Sequence, residues 1–98
     1  MLTARQRAHL KSLAHALKPL FQIGKEGITD AVCETLETGF QTRELLKVKV
    51  LDTAPLEPRD AAESLAERLP GLEVVQVIGR TLVLYRRHPD SPQIRLPG

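Results

Sequence analysis

Apolar residues along this chain of 98 residues switch repeatedly between helical and strand spacing. The switching predicts seven short elements in the order α-β-α-β-α-β-β, which favours an α/β fold with a mixed four-stranded sheet covered by helices. At this length one hydrophobic core is expected, with no room for a second folding unit. We therefore predict a single α/β domain whose crossover connections are right-handed.

The first half of the chain is predicted to contain two helices and a short strand. Thr3 and Gln6 form a capping-box pattern ahead of apolar residues at helical spacing, which predicts a first helix over residues 3 to 17. The apolar run of residues 20 to 23 predicts a short buried strand. Residues 29 to 41, where apolar side chains recur every four positions, are predicted to form the second helix.

The second half is richer in strands. Alternation predicts a half-buried strand over residues 44 to 51 that directs its lysines outward. A third helix, marked by apolar residues between 61 and 69, follows a proline-containing loop. Two strands over residues 73 to 78 and 81 to 87 are joined by a Gly-Arg connection, which suits a tight hairpin with Arg80 displayed at its tip.

The end of the chain differs in composition from the rest. Residues 88 to 98 contain three prolines and are expected to form an extended tail beyond a domain of residues 1 to 87. Ile94 and Leu96 are the tail side chains that could dock on the domain. The predicted organisation is one domain followed by a proline-rich tail.

Charge is distributed unevenly, although the net charge is only +2. Residues 1 to 25 contain five basic side chains and no acidic one, whereas residues 52 to 73 contain six acidic and two basic ones. This distribution predicts a basic face that can concentrate a polyanion, with a surface of mixed, solvated charges as the alternative. On the predicted first helix, four side chains fall within an arc of about 80°: Arg7, Lys11, His15 and Lys18.

The most distinctive local feature is the loop Gly24-Lys25-Glu26-Gly27, between the first predicted strand and the second helix. Two glycines allow close backbone approach, and free amides at the helix N-terminus together with the Lys25 ammonium can meet a phosphate. KH domains clamp nucleic-acid backbone with a GXXG loop of this kind. A purely structural turn is the alternative, and the Glu26 carboxylate disfavours phosphate binding unless it faces away.

The sequence lacks the residue patterns of a catalytic or metal site. His9 and His15 are six positions apart, about 120° from eclipsed on a helix, and no pair of cysteines is present to hold zinc. The glycine loop lacks the Gly-Lys-Ser/Thr ending of a nucleotide-binding P-loop. Cys33, the single cysteine, is expected to be an inert core residue. We therefore predict a non-enzymatic protein without a metal or a cofactor.

Composition narrows the class of partner. Aromatic residues make up 3% of the chain, which disfavours binding of single strands by base stacking. Tyr85 has two open roles, base stacking and core packing, of which we favour the core. No run approaches the roughly 18 consecutive apolar residues of a membrane span, and no signal segment follows Met1. We expect a cytoplasmic protein that does not act at a membrane.

Several stretches resemble, in order and in spacing, the CRM domain, which is named for chloroplast RNA splicing and ribosome maturation. They are His9 to His15, Leu17 to Pro19, Ile23 to Thr29, Glu44 to Lys49 and Val75 to Arg86. The resemblance is to the stand-alone bacterial YhbY-like proteins in particular. It implies an RNA-binding domain similar in fold to the C-terminal domain of translation initiation factor 3, a monomer that associates with precursors of the large ribosomal subunit and assists ribosome assembly.

The resemblance also implies which residues meet the RNA. Gly24, Lys25 and Gly27 of the loop would contact the backbone of the rRNA, and we assign Glu26 to the same surface as part of the loop. Because stacking aromatic residues are scarce, we expect the RNA to be recognised by its shape. Basic residues of the first helix and the strands would join it: Lys11, Lys18, Lys47, Arg80 and Arg86. The alternative function is a protein-interaction module that docks on a ribosomal protein or a translation factor through the acidic third helix.

Overall fold

The structure, a computed structural model, describes residues 2–98. In that range the chain forms three helices and four strands: α1 Ala4–Ala14, β1 Phe21–Ile23, α2 Asp30–Phe40, β2 Leu45–Val50, α3 Pro58–Arg68, β3 Glu73–Ile78 and β4 Thr81–Tyr85. The order of elements is the one that the periodicity predicts. The predicted α/β class and mixed four-stranded sheet are both confirmed.

The sheet has the strand order β1-β2-β4-β3. β1 pairs in parallel with β2, while β4 pairs antiparallel with both β2 and β3. The pairing of β3 is interrupted between Val74 and Gln76, where the register shifts by one residue. This bulge turns Val75 towards the same side of the sheet as α1, where it is buried.

Two apolar clusters lie on opposite faces of the sheet. α2 and α3 cover one face, where their apolar side chains meet Leu46 and Val48 of β2. α1 covers the other face, where it meets Leu45 of β2 and Tyr85 of β4. The split follows from the alternation of side chains along a strand, as the sequence predicts for β2. Tyr85 is 4% exposed, which confirms its assignment to the core.

The end of α1 differs from the prediction for a steric reason. Its start has the predicted capping box, in which Thr3 and Gln6 each accept a backbone N–H from the other. The helix ends at Ala14, three residues before the predicted end, and the Leu17 N–H donates to the Ala14 carbonyl in a turn. The proline at position 19 disfavours helical geometry in the residue before it. Lys18 therefore lies in the turn that leads to β1 and not on the helix.

The C-terminal tail is docked on the domain. Ile94 and Leu96 pack against the apolar cluster beneath α1. The buried carboxylate of Glu44 accepts the backbone N–H groups of His88, Gln93 and Ile94 at 2.6 to 2.8 Å. Docking of the two apolar tail residues is thereby confirmed, whereas the domain boundary at residue 87 stays a prediction.

Candidate nucleic-acid interface

The glycine loop is a tight turn at the end of β1. The Gly27 N–H donates to the Gly24 carbonyl at 3.0 Å, which closes a four-residue β-turn. Lys25 and Glu26 occupy the two central positions, and both side chains are exposed. The turn thus lifts one ammonium and one carboxylate into solvent, side by side.

The two glycines of this loop have different structural roles. Gly27 is buried with φ +72°, in the left-handed region, and a Cβ there would lie 3.1 Å from Cγ of Pro55. Gly24 is not left-handed, and a Cβ there would meet only Cδ1 of Leu51, at an ordinary 3.8 Å. Gly27 is therefore required by the fold, whereas Gly24 leaves open backbone that an incoming phosphate can approach.

The N-terminus of α2 follows the loop and is anchored from α3. The first amides of a helix have no partner within it, and the Thr29 hydroxyl satisfies one of them by accepting the Val32 N–H. The Arg68 guanidinium donates to the Ile28 carbonyl at 2.9 Å and to the Asp30 carboxylate at 2.6 Å. This bridge holds the helix start in place, but the Asp30 carboxylate competes there with any external anion.

Three connections meet at the end of the sheet where β1 and β2 stop, here called the loop end. The Leu51 N–H donates to the Ile23 carbonyl at 2.8 Å, and the Val50 N–H donates to the Arg80 carbonyl at 2.7 Å. The glycine loop, the end of β2 and the β3–β4 hairpin are therefore neighbours. This placement follows from the parallel pairing of β1 with β2.

Arg80 is not displayed at the hairpin tip, and that prediction is wrong. Gly79 takes the left-handed conformation of the turn, with φ +58°, and the Arg80 side chain folds back over the end of β2. Its guanidinium donates to the carbonyls of Val50 and Leu51 at 2.7 and 2.8 Å and lies 3.1 Å from the Asp52 carboxylate. Carbonyls at a strand end need donors, and Arg80 supplies them.

Lys47 and Arg86 are also committed to contacts within the domain. The Lys47 ammonium donates to the Leu17 carbonyl at 3.1 Å, which ties β2 to the turn after α1. Arg86 makes a bidentate ion pair with Glu37, at 2.6 and 3.0 Å, and lies 5.0 Å from the centre of the Phe40 ring. The hydrogen bond from Arg86 holds the pKa of Glu37 below its ordinary value. An RNA contact by either residue stays a prediction.

The basic side of α1 is smaller than its helical arc predicts. Arg7 donates to the carbonyls of Val74 and Val75 at 2.6 and 2.7 Å, so it satisfies backbone acceptors at the β3 bulge. Lys11 is half-buried and Lys18 is exposed. Within the part of the chain that the structure describes, no carboxylate lies within ion-pair distance of either lysine. These two cations are available to an external anion.

The half of the sheet nearest the loop end is not covered by α1. One row of paired residues crosses all four strands on this face and is here called the open row: Gln22, Lys49, Thr81 and Ile78. Gln22 and Lys49 are exposed, Thr81 is half-buried and Ile78 is 54% exposed. Lys49 has no acidic partner among the described residues. The sequence prediction chose Lys47 as the binding lysine of this strand, although the same alternation also placed Lys49 outward.

Acidic side chains lie on the opposite side of the molecule. Asp60, Glu63 and Glu67 are all exposed on α3, which packs on the sheet face away from α1. The predicted separation of charge is therefore present in the fold as two layers. The α1 side and the loop end carry the exposed lysines Lys18, Lys25 and Lys49, none of which has an acidic partner among the described residues.

No arrangement typical of metal-dependent catalysis is found in residues 2–98. No group of three or more His, Cys, Asp or Glu side chains there lies close enough to hold a metal ion. Cys33 is half-buried and packs against the core of the α2 and α3 side. None of the described helices has both the length and the apolar character needed to cross a membrane.

These features define a class of protein: a small three-layer α/β domain with a GxxG turn between its first strand and second helix, and free lysines at the same end of the sheet. The chain belongs to the CRS1/YhbY (CRM) domain family, whose model matches residues 2–86. The family resemblance drawn from the sequence is thereby confirmed.

Relatives match over nearly the whole chain. The Bacillus subtilis protein named Probable RNA-binding protein YqeI is 40% identical over 97 residues, which cover 99% of this chain and 100% of the relative. A Haemophilus influenzae protein named RNA-binding protein is 36% identical over 96 residues, which cover 98% and 95%. The solution structure of a hypothetical protein from Staphylococcus aureus, 41% identical, superposes with a TM-score of 0.81 and covers 99% of this chain and 100% of that one.

Proposed function

We propose that this protein binds RNA and holds its phosphate backbone at the loop end of the sheet. The names of the relatives support RNA as the partner. The observation that carries the proposal is the placement of Lys25 and Lys49. Both side chains are exposed, neither has an acidic partner among the described residues, and the parallel pairing of β1 with β2 brings them to the same end of the sheet.

The chemistry of this surface suits a backbone more than a base sequence. Lysine ammonium groups bind phosphates as compact point charges, and the open backbone at Gly24 lets a phosphate come close. In the open row, the Gln22 amide and the Thr81 hydroxyl can bond the ribose 2′-hydroxyl, which distinguishes RNA from DNA. The proposed binding mode is therefore recognition of phosphate and ribose on a structured RNA.

The distribution of charge indicates on which side of the protein the RNA binds. Lys11 and Lys18 extend the cationic surface along the α1 side, whereas the acidic α3 layer repels a polyanion from the opposite side. Glu26 belongs to the interface but is exposed at the turn, where it can point away from the phosphate that Lys25 meets. The RNA is expected to lie across the loop end and the α1 side.

We propose further that the RNA is rRNA in precursors of the large ribosomal subunit, and that the protein assists ribosome assembly as a monomer in the cytoplasm. This finer proposal rests on the resemblance of the chain to the stand-alone bacterial YhbY-like proteins. The test is co-sedimentation of the tagged protein with ribosomal particles from gently lysed cells, for wild type and Lys25→Glu across a salt series. Association with large-subunit precursors that is weakened by the substitution and by salt is the expected result.

The RNA-binding proposal itself is tested with purified protein and a structured RNA. Lys25→Glu and Lys49→Glu should each weaken binding and lower the slope of log K against log salt by about 1, the effect of about one phosphate contact. Arg43→Glu, exposed at the start of β2 and so at the opposite end of the sheet, is the matched control and should leave the slope unchanged. Binding that is insensitive to salt and to both lysine substitutions would exclude this surface.

A protein-interaction module is the second candidate, and the exposed carboxylates of α3 favour it. If the protein binds RNA, a triple variant with Lys11→Glu, Lys18→Glu and Lys25→Glu should lose its association with RNA. The triple variant could still co-sediment with ribosomal particles, and replacement of the three α3 carboxylates by amides could abolish that co-sedimentation. This result would indicate docking on a ribosomal protein or a translation factor.

A further inference from the structure

The docked tail borders a half-open cavity at the end of the sheet opposite the loop end. The cavity has a volume of about 480 Å³ and lies between the tail, the end of β4 and the first turn of α1. It is lined by Gln6, Tyr85, Arg87, Pro92, Gln93, Ile94, Arg95 and Leu96, and is here called the tail cavity. Its volume falls within the range of roughly 300–1,000 Å³ that small-molecule sites occupy.

Hydrogen bonds hold the tail on both sides of this cavity. Glu44 is 3% exposed and accepts the backbone N–H groups of Gln93 and Ile94, which fixes one wall. At the other side the Gln6 amide donates to the Pro97 carbonyl at 3.2 Å. The tail cavity is therefore bounded by a bonded segment and not by a loose chain end.

Tyr85 offers a free hydrogen-bond donor to the tail cavity. The residue is 4% exposed, yet its hydroxyl makes no hydrogen bond with any described residue and is not sealed from solvent. Burial raises the pKa of this phenol, Glu44 raises it further and Arg87 acts in the opposite direction, so the hydroxyl stays protonated near neutral pH. Tyr85 lines the tail cavity, and a protonated phenol in such a lining can donate to an acceptor there.

Two arginines line the same cavity without acidic partners. Arg87 and Arg95 are exposed, and no carboxylate of the described residues lies within ion-pair distance of either. Two positive charges around one concavity repel each other, and an anion between them offsets the repulsion. The Glu44 carboxylate forms no ion pair with either arginine, and its two oxygens accept three backbone N–H groups of the tail.

We propose that the tail cavity binds a phosphate group, with the Arg87 and Arg95 guanidinium groups on either side and the Tyr85 hydroxyl as a third donor. Guanidinium groups match the geometry of phosphate oxygens, which makes a phosphate monoester or diester the expected ligand. The site is separate from the proposed RNA surface, since Tyr85 and Thr81 stand at opposite ends of β4. The phosphate is supplied either by a further stretch of bound RNA or by a free nucleotide.

The site is tested first without RNA, by following the backbone amides and the Tyr85 ring by NMR while inorganic phosphate or AMP is added. Sodium chloride at matched ionic strength is the control titration. Phosphate-specific shifts at Tyr85, Gln93 and Ile94 are expected, weakened at least ~10-fold in Arg87→Gln/Arg95→Gln, since each guanidinium supplies charge-assisted bonds. Arg59→Gln should leave the shifts unchanged.

Tyr85→Phe keeps the buried ring and removes the hydroxyl alone. It should weaken phosphate binding about 3- to 10-fold, the effect of losing one hydrogen bond, and it tests the site even if the double arginine variant folds poorly. Shifts no larger than in the chloride control, or shifts of full size in both variants, would overturn the proposal.

Measurement of RNA affinity distinguishes the two sources of the phosphate, bound RNA and a free nucleotide. If RNA supplies it, Arg87→Gln/Arg95→Gln should lower RNA affinity and reduce the salt slope by about 1 to 2. Unchanged RNA affinity together with lost phosphate shifts assigns the site to a free nucleotide. If the wild-type protein binds no RNA, the proposed function is wrong. The phosphate titration still shows whether the tail cavity binds phosphate.

Discussion

Replacement of each loop glycine by alanine separates the fold from the proposed function. In Gly27→Ala the new Cβ is placed on a residue with φ +72°, which costs about 1–2 kcal/mol for an L-residue in the left-handed region. The Cβ also lies 3.1 Å from Cγ of Pro55, so the proline ring must shift by a few tenths of an ångström. Together these effects predict a loss of about 1.5–3 kcal/mol in the free energy of unfolding.

Gly24→Ala should behave differently. The residue is not left-handed, and its new Cβ meets only Leu51, at 3.8 Å. Its effect on the free energy of unfolding should lie within about 0.5 kcal/mol, or slightly favour the fold because alanine restricts the unfolded chain. The methyl group nevertheless occupies the backbone surface that we propose a phosphate approaches, so RNA affinity should fall about 10-fold, as expected when a close backbone contact is blocked.

Urea unfolding and fluorescence anisotropy with a labelled RNA measure the two effects separately. A loss of about 2 kcal/mol in Gly27→Ala corresponds to a midpoint of thermal unfolding lower by roughly 8–16 °C in a domain of this size. Equal destabilisation by the two substitutions would refute the assignment of different roles to Gly24 and Gly27. Full RNA affinity in a folded Gly24→Ala protein would refute phosphate approach at the loop.

Other measurements test the remaining contacts. Glu44→Gln should lower the free energy of unfolding by about 1–3 kcal/mol and speed hydrogen exchange of the tail amides, whereas the exposed control Glu63→Gln should change neither. Burial raises the pKa of Glu44, but the tail N–H groups and His88 outweigh it, so both Glu44 and Glu37 have a folded-state pKa below the ordinary 4.5. Their stabilisation should be complete above pH 4.5 and lost as pH falls through the lower folded-state values, and acid unfolding of Glu44→Gln should be correspondingly flatter. Lys49→Gln should weaken RNA binding and leave the free energy of unfolding unchanged. Lys47→Gln should lower the free energy of unfolding, measured by chemical denaturation, by about 1 kcal/mol because the bond to a backbone carbonyl is lost.

Much of the fold follows from local spacing along the chain. The capping box of Thr3 and Gln6, the alternation in β2 and the Gly79 hairpin are each decided within a few neighbouring residues, and each is found where predicted. The family resemblance rests on the same local motifs, including the GxxG turn. Boundaries were less accurate, because the end of α1 depends on the turn before Pro19 and its contact with β2.

The roles of the cations depend on the assembled sheet. Arg7, Lys47 and Arg80 are basic residues like Lys25 and Lys49, and no sequence pattern distinguishes them. The first three donate to backbone carbonyls at a bulge, in the turn after α1 and at a strand end. Those carbonyls need donors only once the strands have paired and α1 has crossed the sheet, so no pattern of spacing identifies them. Pairing across distant segments likewise builds the open row and the tail cavity, because register and docking are long-range properties of the folded chain.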